Sequence, residues 1–178
     1  MTVMPQKNRL SLPSAPVRDQ VLGRTRWNES RSLEDADFFT LGYSGRKTEE
    51  LISIMVAAGV RTLVDIRQHA VSMYRPELSK SNLGRLLEAH GIAYLHLPGL
   101  GVPRDIRAKA IDSGSRDVIW NWYDEFVAAP AVGHNLHWFL NSFELPAALM
   151  CTEIDPHECH RHRLSTVLES HGLRGFDL

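Results

Sequence analysis

The stretch Ala148-Leu149-Met150-Cys151-Thr152-Glu153-Ile154-Asp155-Pro156-His157-Glu158-Cys159-His160-Arg161 decides the fold. An apolar run, Ala147 to Cys151, stops at a thiol and a carboxylate. A helix start follows. Asp155 suits the N-cap, Pro156 the first helical position, and Glu158 completes a capping-box pattern. The predicted helix runs from Pro156 to His171 and is ended by Gly172. Strand, polar loop and helix N-terminus in this order is how open α/β sheets build ligand sites at the carboxyl ends of their strands.

Working outward, the same rhythm recurs. Phe38-Phe39-Thr40-Leu41 reads as a buried strand ending at Gly42-Tyr43-Ser44-Gly45. Thr48 is the expected cap of a helix with Leu51, Ile54, Met55 and Ala58 on its apolar stripe and Gly59 at its end. Thr62 to Ile66 is a second strand. Ser79 opens a helix with Leu83, Leu86 and Leu87 inward, and Ile92 to Leu97 is a third strand. Residues from Asp117 to Ala128 and from His134 to Phe143 read as two aromatic-rich helices. The alternation predicts a three-layer, Rossmann-like α/β domain, with a mostly parallel sheet and helices on both faces. The continuous apolar runs of strands two to four predict strands covered on both sides. Arg174 to Leu178 is a candidate edge strand. Residues 1–37, with Pro5, Pro13 and Pro16 and no steady apolar period, read as a flexible N-terminal tail, leaving 38–178 as one domain.

Composition narrows the function classes. A net charge of −1 gives no global drive toward nucleic acid or anionic lipid, so any anion site must be local. No apolar run approaches the ~20 residues of a membrane span, which argues against a membrane partner. With no secretory-type apolar segment and two cysteines, the expected compartment is the cytoplasm, where the thiols stay reduced.

The predicted strand ends deliver Tyr43 and Ser44, then Asp65 and Arg67, then His96, then Cys151 and Glu153 to one sheet edge. On the last helix, Leu164, Val167 and Leu168 define the buried arc, which includes His160 and borders Arg161. Asp65, Glu153 and Cys151 are the catalytic candidates; Tyr43, Ser44, Arg67, His160 and Arg161 are the ligand-binding candidates. With two arginines and a helix N-terminus, the first reading is a pocket for an anionic ligand. The alternative for Arg161 is a buried pair with Glu153, with His160 a core residue. A nucleophilic Cys151 is opposed by Glu153 and Asp155, which raise its pKa, and by a loop without glycine. A metal set of Cys151, Glu153, Cys159 and His160 has the right donors. It is opposed by the expectation that Cys159 and His160, adjacent on one helix, diverge by about 100°. His134 and His137 read as a packed helix face.

These motifs resemble the domain of unknown function (DUF) 488 family. The resemblance rests on Thr40-Leu41-Gly42-Tyr43-Ser44, Leu63-Val64-Asp65-Ile66-Arg67, Tyr94-Leu95-His96-Leu97-Pro98-Gly99-Leu100-Gly101, and Cys151-Thr152-Glu153 with Pro156 and Cys159-His160-Arg161. It covers about Phe38 to the C-terminus and departs at Tyr43, where the family usually has His. It implies a compact α/β domain with a shared site at these motifs and no established reaction. The ligand expected there is anionic, nucleotide-like or nucleic-acid-derived, with Glu153 or Asp65 as acid/base candidates if it is processed. A non-catalytic binding or interaction module and a metal-binding domain using Cys, His and Glu are the alternatives. No cofactor and no oligomeric state is assigned.

Overall fold

The computed structural model describes Asn28, residues 31–130, Phe139 and residues 141–178. The second aromatic-rich helix, with His134 and His137, falls mostly outside the described residues. Five strands form one sheet in the order β3-β2-β4-β1-β5, every neighbour pair parallel. They are β1 (Phe38–Gly42), β2 (Thr62–Asp65), β3 (Ala93–His96), β4 (Ala147–Cys151) and β5 (Gly175–Asp177). The helices are α1 (Thr48–Ala57), α2 (Lys80–Glu88), α3 (Arg104–Ser113), α4 (Asp117–Tyr123, extended by a wider π-helical turn over Asp124–Ala128) and α5 (His160–Ser170).

The chain path explains the layers. From β1 to β2 to β3 it moves toward one edge of the sheet; from β3 it returns to the middle at β4 and passes on to β5. Right-handed crossovers place helices on opposite faces when the direction of travel reverses. Accordingly α1 and α2 cover one face, with Leu51, Met55, Leu83 and Leu87 against Phe39, Leu41, Leu63 and Met150. The α3–α5 layer covers the other, with Ile106, Tyr123, Leu164 and Leu168 against Phe38, Val64, Leu149 and Cys151. Successive strand residues point to alternate faces, so Phe38 and Phe39 serve different cores.

Two expectations need correction, and one helix is added. The third strand is not covered on both sides: β3 is an edge strand, with Ala93 exposed and the rest half-buried. Helix α3, over a segment to which the sequence pattern assigns no element, buries only Ile106 and Ala110. The last helix does not start at Pro156. Asp155 caps a separate 3-10 turn, Pro156–Glu158, by accepting from the His157 N–H at 2.9 Å. Cys159 is then extended, and α5 begins at His160.

Described residues before Phe38 also pack against the sheet. Asn28 is buried, and its amide bonds both backbone groups of Asp177, at 2.7 and 3.0 Å, as a neighbouring strand would. Arg31 pairs with Glu169 at 2.9 Å, and Ala36 is in the core. One amide group satisfying a sheet edge has no apolar period, so the sequence pattern does not reveal it. No helix among the described residues is long and apolar enough to cross a membrane.

Candidate functional site

Parallel pairing brings the ends of β1, β4 and β2 side by side: Gly42 lies opposite Cys151, and Asp65 opposite Met150. Two glycines let loops close over these ends. A Cβ on Gly42 would stand 2.0 Å from the Glu153 carbonyl oxygen, so the loop after β4 crosses β1 with no room for a side chain. A Cβ on Gly101 would stand 2.3 Å from the Gln68 nitrogen, locking the loops after β2 and β3 together.

Asp65 and Arg67 form a buried pair. The guanidinium donates to both carboxylate oxygens, at 2.8 and 2.5 Å, and to the Leu78 carbonyl at 2.9 Å. The Arg67 N–H and the Tyr94 hydroxyl complete the carboxylate's partners, at 3.1 and 2.6 Å. Burial by itself would lower the Arg67 pKa, but hydrogen bonding and attraction to Asp65 raise it overall. Burial, then the bond to Asp65, pushes the Tyr94 phenol up. Tyr43 flanks the pair, its ring centroid 5.2 Å from the guanidinium carbon, and its phenol oxygen accepts from the Thr152 hydroxyl at 3.1 Å. The Ser44 N–H donates to the Thr152 carbonyl at 2.9 Å.

The Arg161 guanidinium does not meet the Glu153 carboxylate. It donates to the backbone carbonyls of Glu153 and Ile154, and to Thr40 Oγ1 at 3.2 Å. The Thr40 hydroxyl in turn donates to the Asp177 carboxylate. Arg161, 1% exposed, is a clamp that holds the loop after β4 down on β1.

The remaining candidates meet in one cluster. The donor atoms of Cys151, Cys159 and His160 all lie within 4.8 Å of one another, and all three residues are buried. Cys151 Sγ is 3.7 Å from both imidazole nitrogens, and Cys159 Sγ is 4.0 Å from Nδ1. The expectation that Cys159 and His160 diverge fails for a definite reason. Cys159 lies outside the helix, with φ −126° and ψ 143°, so its thiol is not bound to helical spacing. His160 Nε2 faces the Ile66 carbonyl at 3.4 Å, where the tautomer protonated on Nε2 donates and leaves Nδ1 as the acceptor. The half-buried Glu153 accepts from the Cys151 thiol at 3.8 Å. Burial would raise its carboxyl pKa, but hydrogen bonding from Cys159 and the backbone, with His160 and Arg107 nearby, holds it below the usual value. Burial, then contact with Cys151, pushes the Cys159 thiol well up.

Tyr123, Thr40, Asp177 and Arg107 were not among the predicted site residues. The Tyr123 ring packs 5.0 Å from His160, and its hydroxyl donates to the Leu100 carbonyl at 2.8 Å. Its only signal in the sequence is an aromatic at helical spacing, which reads equally as core. Separately, an open cleft of about 380 Å³ lies at the N-terminus of α1, lined by Arg46, Lys47, Thr48, Glu49, Arg75 and Glu77 among others. None of the predicted site residues lines it.

Comparison with known proteins gave one finding. A family model described as domain of unknown function DUF488 matches residues 47–168. No curated protein and no solved structure matches the chain. The match spans the Asp65–Arg67 strand end, the Gly101 loop and the Cys151–Arg161 segment, and the chain belongs to the DUF488 family.

Proposed function

We propose that this domain binds a thiophilic divalent ion of the zinc class through Cys151, Cys159 and His160. The observation that carries the reading is the mutual approach of the three donors within 4.8 Å in a buried setting. Zinc–sulfur bonds of about 2.3 Å and zinc–nitrogen bonds of about 2.0 Å place tetrahedral donors roughly 3.5–3.8 Å apart. The distances of 3.7 and 4.0 Å from the imidazole to the thiols are close to that spacing. The Ile66 carbonyl behind Nε2 is the usual outer support of a ligating histidine. Metal binding would displace the thiol protons, so affinity should rise with pH. Both thiols are free of a disulfide and so available as ligands.

The anion reading loses its two arginines, since Arg67 is neutralised by Asp65 and Arg161 is spent on carbonyls and Thr40. As a second reading it moves to the cleft with Arg46, Lys47 and Arg75, where nucleotide titration is the test.

The metal reading is tested by elemental analysis of the purified chain and by Zn²⁺ titration against a chromophoric chelator. The expected result is one equivalent per chain, lost in both Cys151→Ser and Cys159→Ser. No metal on purification and no competition with the chelator would overturn it, as would a Cys151–Cys159 disulfide in protein purified under reducing conditions.

A further inference from the structure

We infer that Glu153 supplies the fourth ligand of the Cys151–Cys159–His160 centre, so that four protein donors close the ion off and it serves to hold the sheet edge together. The inference rests on the metal reading above and adds what completes the centre. Zinc closed in by four protein donors is structural, whereas catalytic zinc keeps one position for water or substrate. The four donors come from the end of β4, the loop that crosses β1 and the start of α5, so the ion would fasten these segments to one another.

Spacing carries the assignment. A tetrahedral ion held at about 2.3 Å by sulfur and about 2.1 Å by a carboxylate oxygen sets those two donors roughly 3.6 Å apart. The Glu153 carboxylate lies 3.8 Å from the Cys151 sulfur, close to the 3.7 Å between that sulfur and the imidazole. The Cys159 thiol bonds to the same carboxylate, so Glu153 stands against both sulfurs of the set. Its main chain is pinned there. The Glu153 carbonyl accepts from Arg161 and sits against Gly42, where a Cβ would be 2.0 Å away. A residue already fixed in its backbone gives up only side-chain freedom when it ligates.

Charge agrees with it. Among the described residues no ion pair engages the Glu153 carboxylate, whose hydrogen-bond partner at 3.8 Å is the Cys151 thiol. Two thiolates and a carboxylate around a divalent ion leave one negative charge. That charge falls at His160, the first residue of α5, where the helix end favours it. Buried Arg161, whose partners are two carbonyls and a hydroxyl, adds a positive charge behind the Glu153 main chain.

The experiment uses the full chain loaded with Co²⁺, whose visible absorption reports the ligands around the ion, with imidazole as the probe of an open position. The wild-type bands are expected to stay unchanged on adding imidazole, and those of Glu153→Ala to shift saturably. Chelator competition should show Zn²⁺ bound about tenfold or more weakly in Glu153→Ala and in the isosteric Glu153→Gln, since even the outer partners of a ligand cost that much when lost. A wild type that responds to imidazole would overturn the inference by showing an open centre. So would a Glu153→Ala variant that takes up Co²⁺ and stays silent, or a Glu153→Gln variant with wild-type Zn²⁺ affinity, either of which places the fourth ligand elsewhere. Failure of the wild type to take up Co²⁺ is a separate result: it removes the metal reading itself, and this inference with it.

Discussion

Asp65 and Arg161 are both buried charged residues at the sheet edge, and they differ in what compensates them. Asp65 is paired with a charge. Removing one partner leaves the other buried and unpaired, which costs about 3–5 kcal/mol. Asp65→Asn is therefore expected to be strongly destabilising in urea denaturation, and adding Arg67→Met should recover much of the loss. Arg161 is compensated by carbonyls and a hydroxyl instead. Arg161→Met should cost about 3 kcal/mol, because buried backbone acceptors lose their donor. Glu153→Gln should not rescue it, since the carboxylate is not the partner. A rescue would show that the two side chains pair after all. The burial of both residues is legible from strand-end position and helical arc. Their partners are not, because a guanidinium on a side chain of this length can reach several acceptors and only the folded loop decides which.

At the scale of elements, the loop after β4 is the critical one. It leaves β4, crosses β1 at Gly42, makes a single 3-10 turn and enters α5 at His160. Gly42→Ala puts a methyl group into the Glu153 carbonyl, so the crossing must lift. The expected cost is about 1–3 kcal/mol, the range of overpacked interiors. The same loop leads from Cys151 to Cys159, so under the proposed metal function Zn²⁺ affinity should fall in the same variant. Melting curves and chelator competition check both; a full loss of stability with unchanged affinity would separate the crossing from the cluster. The sequence pattern merges the 3-10 turn and α5 into one helix, since Asp155, Pro156 and Glu158 satisfy every start signal. The break at Cys159 carries no mark of its own. That break is what lets two adjacent residues, Cys159 and His160, converge.

For the molecule as a whole, the packed unit extends N-terminally past the first strand. Asn28 substitutes for a sixth strand along Asp177, and Arg31 ties the same edge to Glu169 on α5. Asn28→Ala removes two hydrogen bonds from a buried edge and should cost about 1–3 kcal/mol. A truncation through Ser32 should also lower the melting temperature, where the tail reading expects no change. An unchanged transition in both would show that the edge is satisfied by water.

The sequence by itself determined the kind of fold and the edge on which the candidate residues gather. Apolar runs alternating with amphipathic segments admit one arrangement, strands in the middle and helices outside, and parallel strands put all their carboxyl ends together. These are properties of period and direction, which a one-dimensional pattern contains. Tertiary structure alone decided the partners: Asp65 with Arg67 and Tyr94, Arg161 with two carbonyls and Thr40, Asn28 with Asp177, Cys159 with Cys151 and His160. Each depends on distances of a few ångströms set by where a loop crosses a strand. Residue types and spacings leave those distances open, and packing closes them.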